Sequence, residues 1–307
     1  MKVISVIAGI LAAGAGVTAY VYYHPQIVIS RIQKMLYKDG RPINSFEPFA
    51  PAMRRVKENG QLYQTEIQYG TEYPNSFLDI SYPDEDTSVS RPTVIYFHGG
   101  GFFGGDKSMG DPMAADDDAN KLLNKIVADG FNLVNVNYGL VPDCHFPVPL
   151  IQMEQAIHFL KIHSEEYGLN MNNVVIFGQS AGAILTAQYG ALMANPEYRE
   201  LLGITPTLSG GEVKALIIDD APFQTENFNW KLRMMTGAYI QTMNMHGETA
   251  RKTNAFRYIT KDYCPSFLTA GNTDGFPEDM GAFAKRLGEL GVEHEYFFTP
   301  REVCELP

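Results

Sequence analysis

A serine stands between two glycines in Gly178-Gln179-Ser180-Ala181-Gly182, after the apolar residues 174–177 and before a helix-like run carrying Ile184, Leu185, Gln188, Tyr189 and Leu192. The spacing predicts a strand, a sharp turn with the serine at its apex, and a helix. A serine hydroxyl is a poor nucleophile unless the fold lifts it out and a base strips its proton, and flanking glycines permit the tight turn that lifts it. Alone, the five-residue pattern has low specificity. It gains from His98-Gly99-Gly100-Gly101, which again follows a strand-like run, residues 93–97. Bare glycine backbone at that place can point N–H groups at a developing oxyanion. Together the two parts would perform acyl transfer to serine, and the third part such chemistry needs is a histidine base.

The elements that must position these residues are legible from periodicity. Residues 61–69 and 77–82 alternate apolar and polar side chains, with Gly70 and Pro74-Asn75 between them, and predict an antiparallel hairpin. Residues 93–97, 131–137, 174–177, 213–219, 266–270 and 292–298 then read as strands separated by helix-length runs. That rhythm predicts an α/β fold, a mainly parallel central sheet with helices on both faces. Residues 221–262 are too long for a simple connection and carry Trp230, Met234, Met235, Tyr239, Met243 and Met245, which reads as a small helical cap insertion. The methionines either line an acyl pocket or fill an irregular core. The organisation expected is an N-terminal hydrophobic helix over residues 1–23, a connector or lid segment over 24–60, and a catalytic domain over 61–307.

Composition narrows the function classes. A chain of 307 residues with 45% hydrophobic content can bury a sizeable single core. The formal net charge of −11 argues against nucleic acid, whose binding rests on clustered Lys and Arg. The three cysteines, Cys144, Cys264 and Cys304, have no CxxC spacing and suggest neither a disulfide framework nor a zinc site. Residues 3–23 carry no charge, and a helix of that length spans about 31 Å, one hydrocarbon core. A retained membrane anchor, a cleaved secretory signal with a small-residue site near Ala13-Gly14-Ala15, and a buried core helix all fit. The favoured expectation is a single-pass membrane protein with the catalytic domain outside, and a secreted protein is the alternative.

The ordered motifs resemble one family. Leu78-Asp79-Ile80, His98-Gly99-Gly100-Gly101-Phe102 with Gly105-Asp106-Lys107, Asn137-Tyr138-Gly139-Leu140-Val141-Pro142 followed by Phe146-Pro147, Gly178-Gln179-Ser180-Ala181-Gly182, and Ala270-Gly271-Asn272-Thr273-Asp274 occur in its order. Over residues 60–307 the chain is similar to the α/β hydrolases of the hormone-sensitive-lipase-like and bacterial feruloyl-esterase-like branch. The resemblance implies hydrolysis of small-molecule carboxylic esters through an acyl-serine, without cofactor or metal. It makes Ser180 the nucleophile, Asp274 the triad acid, and the backbone N–H groups of Gly100, Gly101 and Ala181 the oxyanion hole. Two supporting positions depart from the pattern: Gln152 stands where the family often has an acid, and Tyr138-Gly139-Leu140 replaces Tyr-Arg-Leu. The family's histidine belongs in the loop after the last strand, and residues 301–307 look like that loop without supplying one. The expectation is therefore an impaired hydrolase, and the alternative is a catalytically silent or truncated relative that only binds ligands.

Asp274 either orients an imidazole or caps the helix that begins near Pro277. His98 reads as a scaffold for its own loop, His145 lies in a turn, and His158 and His163, five apart, face different sides of one helix. His294 sits near the start of the last strand, about 13 Å of strand away from the end where the serine turn lies. Asp116-Asp117-Asp118 reads as a solvated acidic face in preference to a cation site.

Overall fold

The computed structural model describes residues 20, 24–38, 40–108, 118–271 and 275–298, with backbone alone for 118–120. Nine strands form one sheet: β1 (Arg54–Val56), β2 (Leu62–Gln68), β3 (Phe77–Tyr82), β4 (Pro92–Phe97), β5 (Asn132–Val136), β6 (Asn170–Gln179), β7 (Val213–Asp219), β8 (Ser266–Ala270) and β9 (His294–Phe298). Their order across the sheet is β1-β2-β3-β5-β4-β6-β7-β8-β9. From β5 to β9 every pairing is parallel, and the hairpin β2–β3 joins β5 antiparallel. This is the mainly parallel sheet that the alternation of runs predicts. β1 was not anticipated, because its three residues are all exposed and leave no alternating apolar signal.

The helices are α1 (Gln26–Leu36), α2 (Asp118–Ala128), α3 (Val148–Ile162), α4 (Ala181–Ala194), α5 (Pro196–Leu202), α6 (Trp230–Ile240), α7 (Glu248–Thr253) and α8 (Pro277–Glu289). Successive strand residues point to opposite faces, and the two faces have separate cores. Ile95, Phe97, Val134, Val136, Ile176 and Ile218 pack with Met153 and Ile157 of α3, Leu185 of α4 and Phe283 of α8. Their neighbours Val94, Tyr96, Leu133 and Phe177 pack with Leu123 and Val127 of α2. Burial on both faces is why these strands read as near-continuous apolar runs. Residues 221–262 hold α6, α7 and two short 3-10 turns.

The membrane expectation is corrected. No helix among the described residues is long and apolar enough to cross a membrane; the longest, α3, has 15 residues. Apart from Tyr20, the residues 3–23 read as the span lie outside the described residues. Single-pass anchoring and a membrane partner are therefore not supported.

The connector brings a second difference. Its apolar residues Ile27, Ile29, Ile32, Met35 and Leu36 have the spacing of an amphipathic helix. In α1, Ile29 and the polar Gln33 are buried, while Met35 is 68% exposed. The inward stripe is set by what α1 packs on, and that includes polar backbone.

Candidate active site

Ser180 joins the end of β6 to the start of α4 at φ 51° and ψ −112°, a conformation few residues other than glycine adopt. The strain is held by close packing on both sides. A Cβ on Gly178 would strike the Gly182 carbonyl and Thr186 Oγ1, and one on Gly182 would strike the Phe97 carbonyl. The two glycines thus let strand, turn and helix approach until the serine alone projects. Its own N–H donates to the Asp219 carbonyl at 2.8 Å, and its carbonyl accepts from Ile184 at 3.1 Å, which locks the turn to β7 and to α4.

The glycine loop after β4 is the second wall. Gly100, Gly101 and Phe102 all have positive φ, at 101°, 60° and 64°. The Gly100 carbonyl accepts the N–H groups of Phe103 and Gly104, both at 3.0 Å. A Cβ on Gly101 would lie 2.6 Å from the Phe103 ring and 2.8 Å from Met235 Cε, so only bare backbone fits under α6. His98 is fully buried; its Nδ1 lies 2.8 Å from the Gly99 carbonyl, its Nε2 3.2 Å from Asn137 Oδ1, and its ring stacks on Tyr138. Both nitrogens are engaged in holding the loop, which leaves neither for a reacting serine. Beyond the loop, buried Lys107 pairs with Glu66 at 2.7 Å and Asp79 at 3.0 Å and pins the segment to the β2–β3 hairpin.

A small cavity of about 60 Å³ opens beside Ser180. Gly101 and Ala181 line it with Ser180, and Phe223, Met235, Tyr239 and Phe276 supply apolar walls. Ala181 is the first residue of α4, where backbone N–H groups have no partner inside the helix. The structure therefore brings three of the five sequence-derived site residues to one cavity; Gly100 lies in the same loop turn, and Asp274 lies outside the described residues.

Two carboxylates that sequence reasoning missed flank this region. Asp219 accepts hydrogen bonds from the side chains of Thr269 and Gln179, and Asp220, at φ 54°, accepts the N–H of Phe276 at 2.7 Å and that of Gly271. Burial raises both carboxyls above the ordinary range, and these hydrogen bonds oppose the rise without cancelling it. The signal available was an acidic pair at the C-terminal end of a strand that otherwise reads as apolar.

The seven histidines all fall within the described residues, and none lines the cavity. His294 opens β9 opposite Ser266, the first residue of β8, and its Nδ1 lies 2.9 Å from the Val292 carbonyl. It is thus at the N-terminal edge of the sheet, whereas Ser180 follows the C-terminal end of β6. His145 contacts the Ala238 carbonyl at 3.0 Å, His158 meets Thr207 from the exposed side of α3, and His163, just past the end of α3, meets Glu166. Of Asp116-Asp117-Asp118, the first two lie outside the described residues.

The two departures in supporting positions have structural reasons. Gln152 is fully buried, accepts the Gly139 N–H at 2.7 Å, and donates to the Pro74 carbonyl at 2.8 Å and to Ser76 Oγ at 3.0 Å. An amide serves both roles, and a carboxylate could not donate. At Gly139 a Cβ would collide with the Cys144 side chain, which excludes any larger residue there.

A mainly parallel sheet with a strained serine between β6 and α4 defines an α/β hydrolase. Residues 78–277 match the BD-FAE family, and the chain belongs to that family, a carboxylesterase branch of the α/β hydrolases. By family it is a carboxylic ester hydrolase. The chain is 22% identical over 272 residues to the R526 protein of Acanthamoeba polyphaga mimivirus, covering 83% of this chain and 73% of that one. It is 20% identical over 245 residues to the esterase LipC of Mycobacterium tuberculosis, covering 77% of this chain and 58% of LipC's length. Among solved structures, Esterase B of Lactobacillus rhamnosis shares the fold with a TM-score of 0.66 at 19% identity, over 97% of this chain and 85% of that one.

Proposed function

We propose that Ser180 is the nucleophile of a serine hydrolase that cleaves small-molecule carboxylic esters through an acyl-serine intermediate. The observation that carries this reading is the strained Ser180 turn opening on one cavity with Gly101 and Ala181. Ser180 Oγ attacks the ester carbonyl, the N–H groups of Gly100, Gly101 and Ala181 bind the oxyanion, the alcohol leaves, and water releases the acid. Asp274 is assigned the triad acid on its place after β8. Residues 221–262 are assigned to a cap, since α6 supplies Leu232, Met235 and Tyr239 to the cavity wall. No cofactor or metal takes part in these steps.

A chain of these 307 residues is proposed to be an impaired hydrolase, because no histidine stands beside Ser180 to take its proton. Loss of a triad base costs about 10⁴- to 10⁶-fold in turnover and leaves a trace of oxyanion-hole catalysis. A catalytically silent relative that binds ligands in the same cavity is the second reading, favoured by the same histidine placement.

Labelling with a fluorophosphonate, followed by intact mass, tests the assignment. The adduct is expected on Ser180 and is expected to vanish in Ser180→Ala; an adduct that survives in that variant removes Ser180 from the mechanism. Turnover of p-nitrophenyl acetate separates the two readings. A trace rate that Ser180→Ala abolishes, that His294→Ala leaves unchanged and that added imidazole raises supports the impaired hydrolase, whereas equal rates in the chain and Ser180→Ala support the silent relative.

A further inference from the structure

The helix α1 precedes the sheet in the chain, yet its one buried polar side chain reaches the loop proposed above to bind the oxyanion. Gln33 is 3% exposed, and its Nε2 donates to the Phe103 carbonyl at 3.0 Å and to the Val141 carbonyl at 2.5 Å. Both partners are oxygens, so only the amide NH₂ can face them, and the orientation of the side chain follows from chemistry alone. The two carbonyls belong to the two loops that meet over the site. Phe103 closes the Gly100 turn, and Val141 returns an N–H to the Phe102 carbonyl at 2.9 Å. With Phe103 2% and Val141 1% exposed, neither carbonyl has ready access to water, and a buried carbonyl without a donor is costly.

The rest of the same segment grips the same two loops. Tyr37 Oη donates to the Gly105 carbonyl at 3.2 Å, Arg41 pairs with Asp106 at 2.6 Å, and Asn44 Nδ2 donates to the Leu140 carbonyl at 2.8 Å. Four side chains, spaced along residues 33–44, thus hold residues 103–106 and 140–141 from outside. The loop has three consecutive positive-φ residues, a conformation its surroundings must hold, and an oxyanion hole works only if its donors are aimed before charge develops. We infer that Gln33 is a positioning residue that sets the glycine loop for catalysis, and that α1 is a working part of the active site. This inference rests on the proposed oxyanion role of Gly100 and Gly101.

The test compares the full chain with Gln33→Met, which keeps the length and loses both donors, and Gln33→Glu, which puts a carboxylate against two carbonyls. Amide hydrogen exchange is read at Phe103, Gly104 and Val141, whose N–H groups the clamp protects, with Ile184 as the control on the serine turn. Exchange at the three sites is expected to rise about tenfold or more in Gln33→Met and further in Gln33→Glu, with Ile184 unchanged. On p-nitrophenyl acetate, kcat is expected to fall about tenfold or more with KM within about twofold, since misaimed donors weaken the transition state and leave substrate binding alone. Unchanged exchange at the three sites in either folded variant overturns the inference, as does a KM change that accounts for the whole loss. If Gln33→Met does not fold, Gln33→Asn, one methylene too short for both carbonyls, takes its place. A wild-type chain with no turnover beyond that of Ser180→Ala sinks the hydrolase reading, and the exchange result then decides the clamp by itself.

Discussion

The carboxylate of Asp220, at the end of β7, accepts the backbone N–H of Phe276 at 2.7 Å and so ties the loop after β8 to the strand next to it. Gly275 makes room for this contact: a Cβ there would lie 2.6 Å from Asp220 Oδ1. Phe276 in turn walls the cavity beside Ser180. Asp220→Ala removes the acceptor of two backbone donors, Phe276 and Gly271. A loss of about 1–3 kcal/mol is expected in urea unfolding, the range for leaving a buried donor without its partner. Asp220→Asn, which keeps one acceptor and tolerates positive φ, is expected to lose less; equal losses in the two would show that the carboxylate does not hold the loop.

The neighbouring Asp219 makes a prediction about pH. Burial raises its folded-state pKa above the ordinary carboxylate range, although Thr269 and Gln179 donate to it. A carboxyl whose folded pKa is raised favours the fold when protonated, and that contribution fades as pH rises from the unfolded pKa through the folded one. The stability of the wild type relative to Asp219→Asn is therefore expected to fall as pH goes from about 4 upward through the raised value. Denaturant midpoints taken across that window check the sign, and a rising difference would mean that the charged form is the one the fold prefers.

Strain at the serine turn gives a stability prediction that runs against function. Ser180 is held at φ 51° and ψ −112°, and glycine relieves such a conformation by about 1–3 kcal/mol. Ser180→Gly is expected to melt several degrees above Ser180→Ala while neither takes a fluorophosphonate label. The reverse holds next door: Gly182→Ala drives a methyl into the Phe97 carbonyl, and a loss of about 2–3 kcal/mol with loss of labelling is expected. Thermal melts of the three variants check both directions.

Burial also silences two of the thiols. The Cys144 thiol is pushed up to about 12 by burial and by the nearby Asp143 carboxylate, and the Cys264 thiol to about 12 by burial alone. Since the thiolate is the reactive form, iodoacetamide at pH 8 is expected to leave both unmodified in the native protein and to alkylate both in guanidinium chloride. Peptide mapping checks each site, and native labelling of Cys144 would show that the loop over Gly139 opens to solvent.

What the amino-acid order determined by itself was the local grammar. Period-two alternation and short apolar runs placed eight strands, because a buried strand needs apolar side chains at fixed spacing whatever its neighbours are. The glycines around Ser180 and after His98 announced a tight turn and a bare loop, since only glycine tolerates the close backbone approaches seen at Gly178, Gly182 and Gly101. The polar contacts that hold the site had no such signature. Gln33 and Val141 are 108 residues apart, Asp220 and Phe276 are 56 apart, and Gln152 reaches Pro74 across 78. A hydrogen bond between such residues depends on how β4, β5, β7 and α1 come together, so the same glutamine or aspartate in the sequence reads as a surface residue. Hydropathy alone also suggested a membrane span in residues 3–23, whereas no helix among the described residues is long and apolar enough to cross a membrane. Only the tertiary structure decided which polar groups are interior, because burial is a property of the assembled sheet and its covering helices.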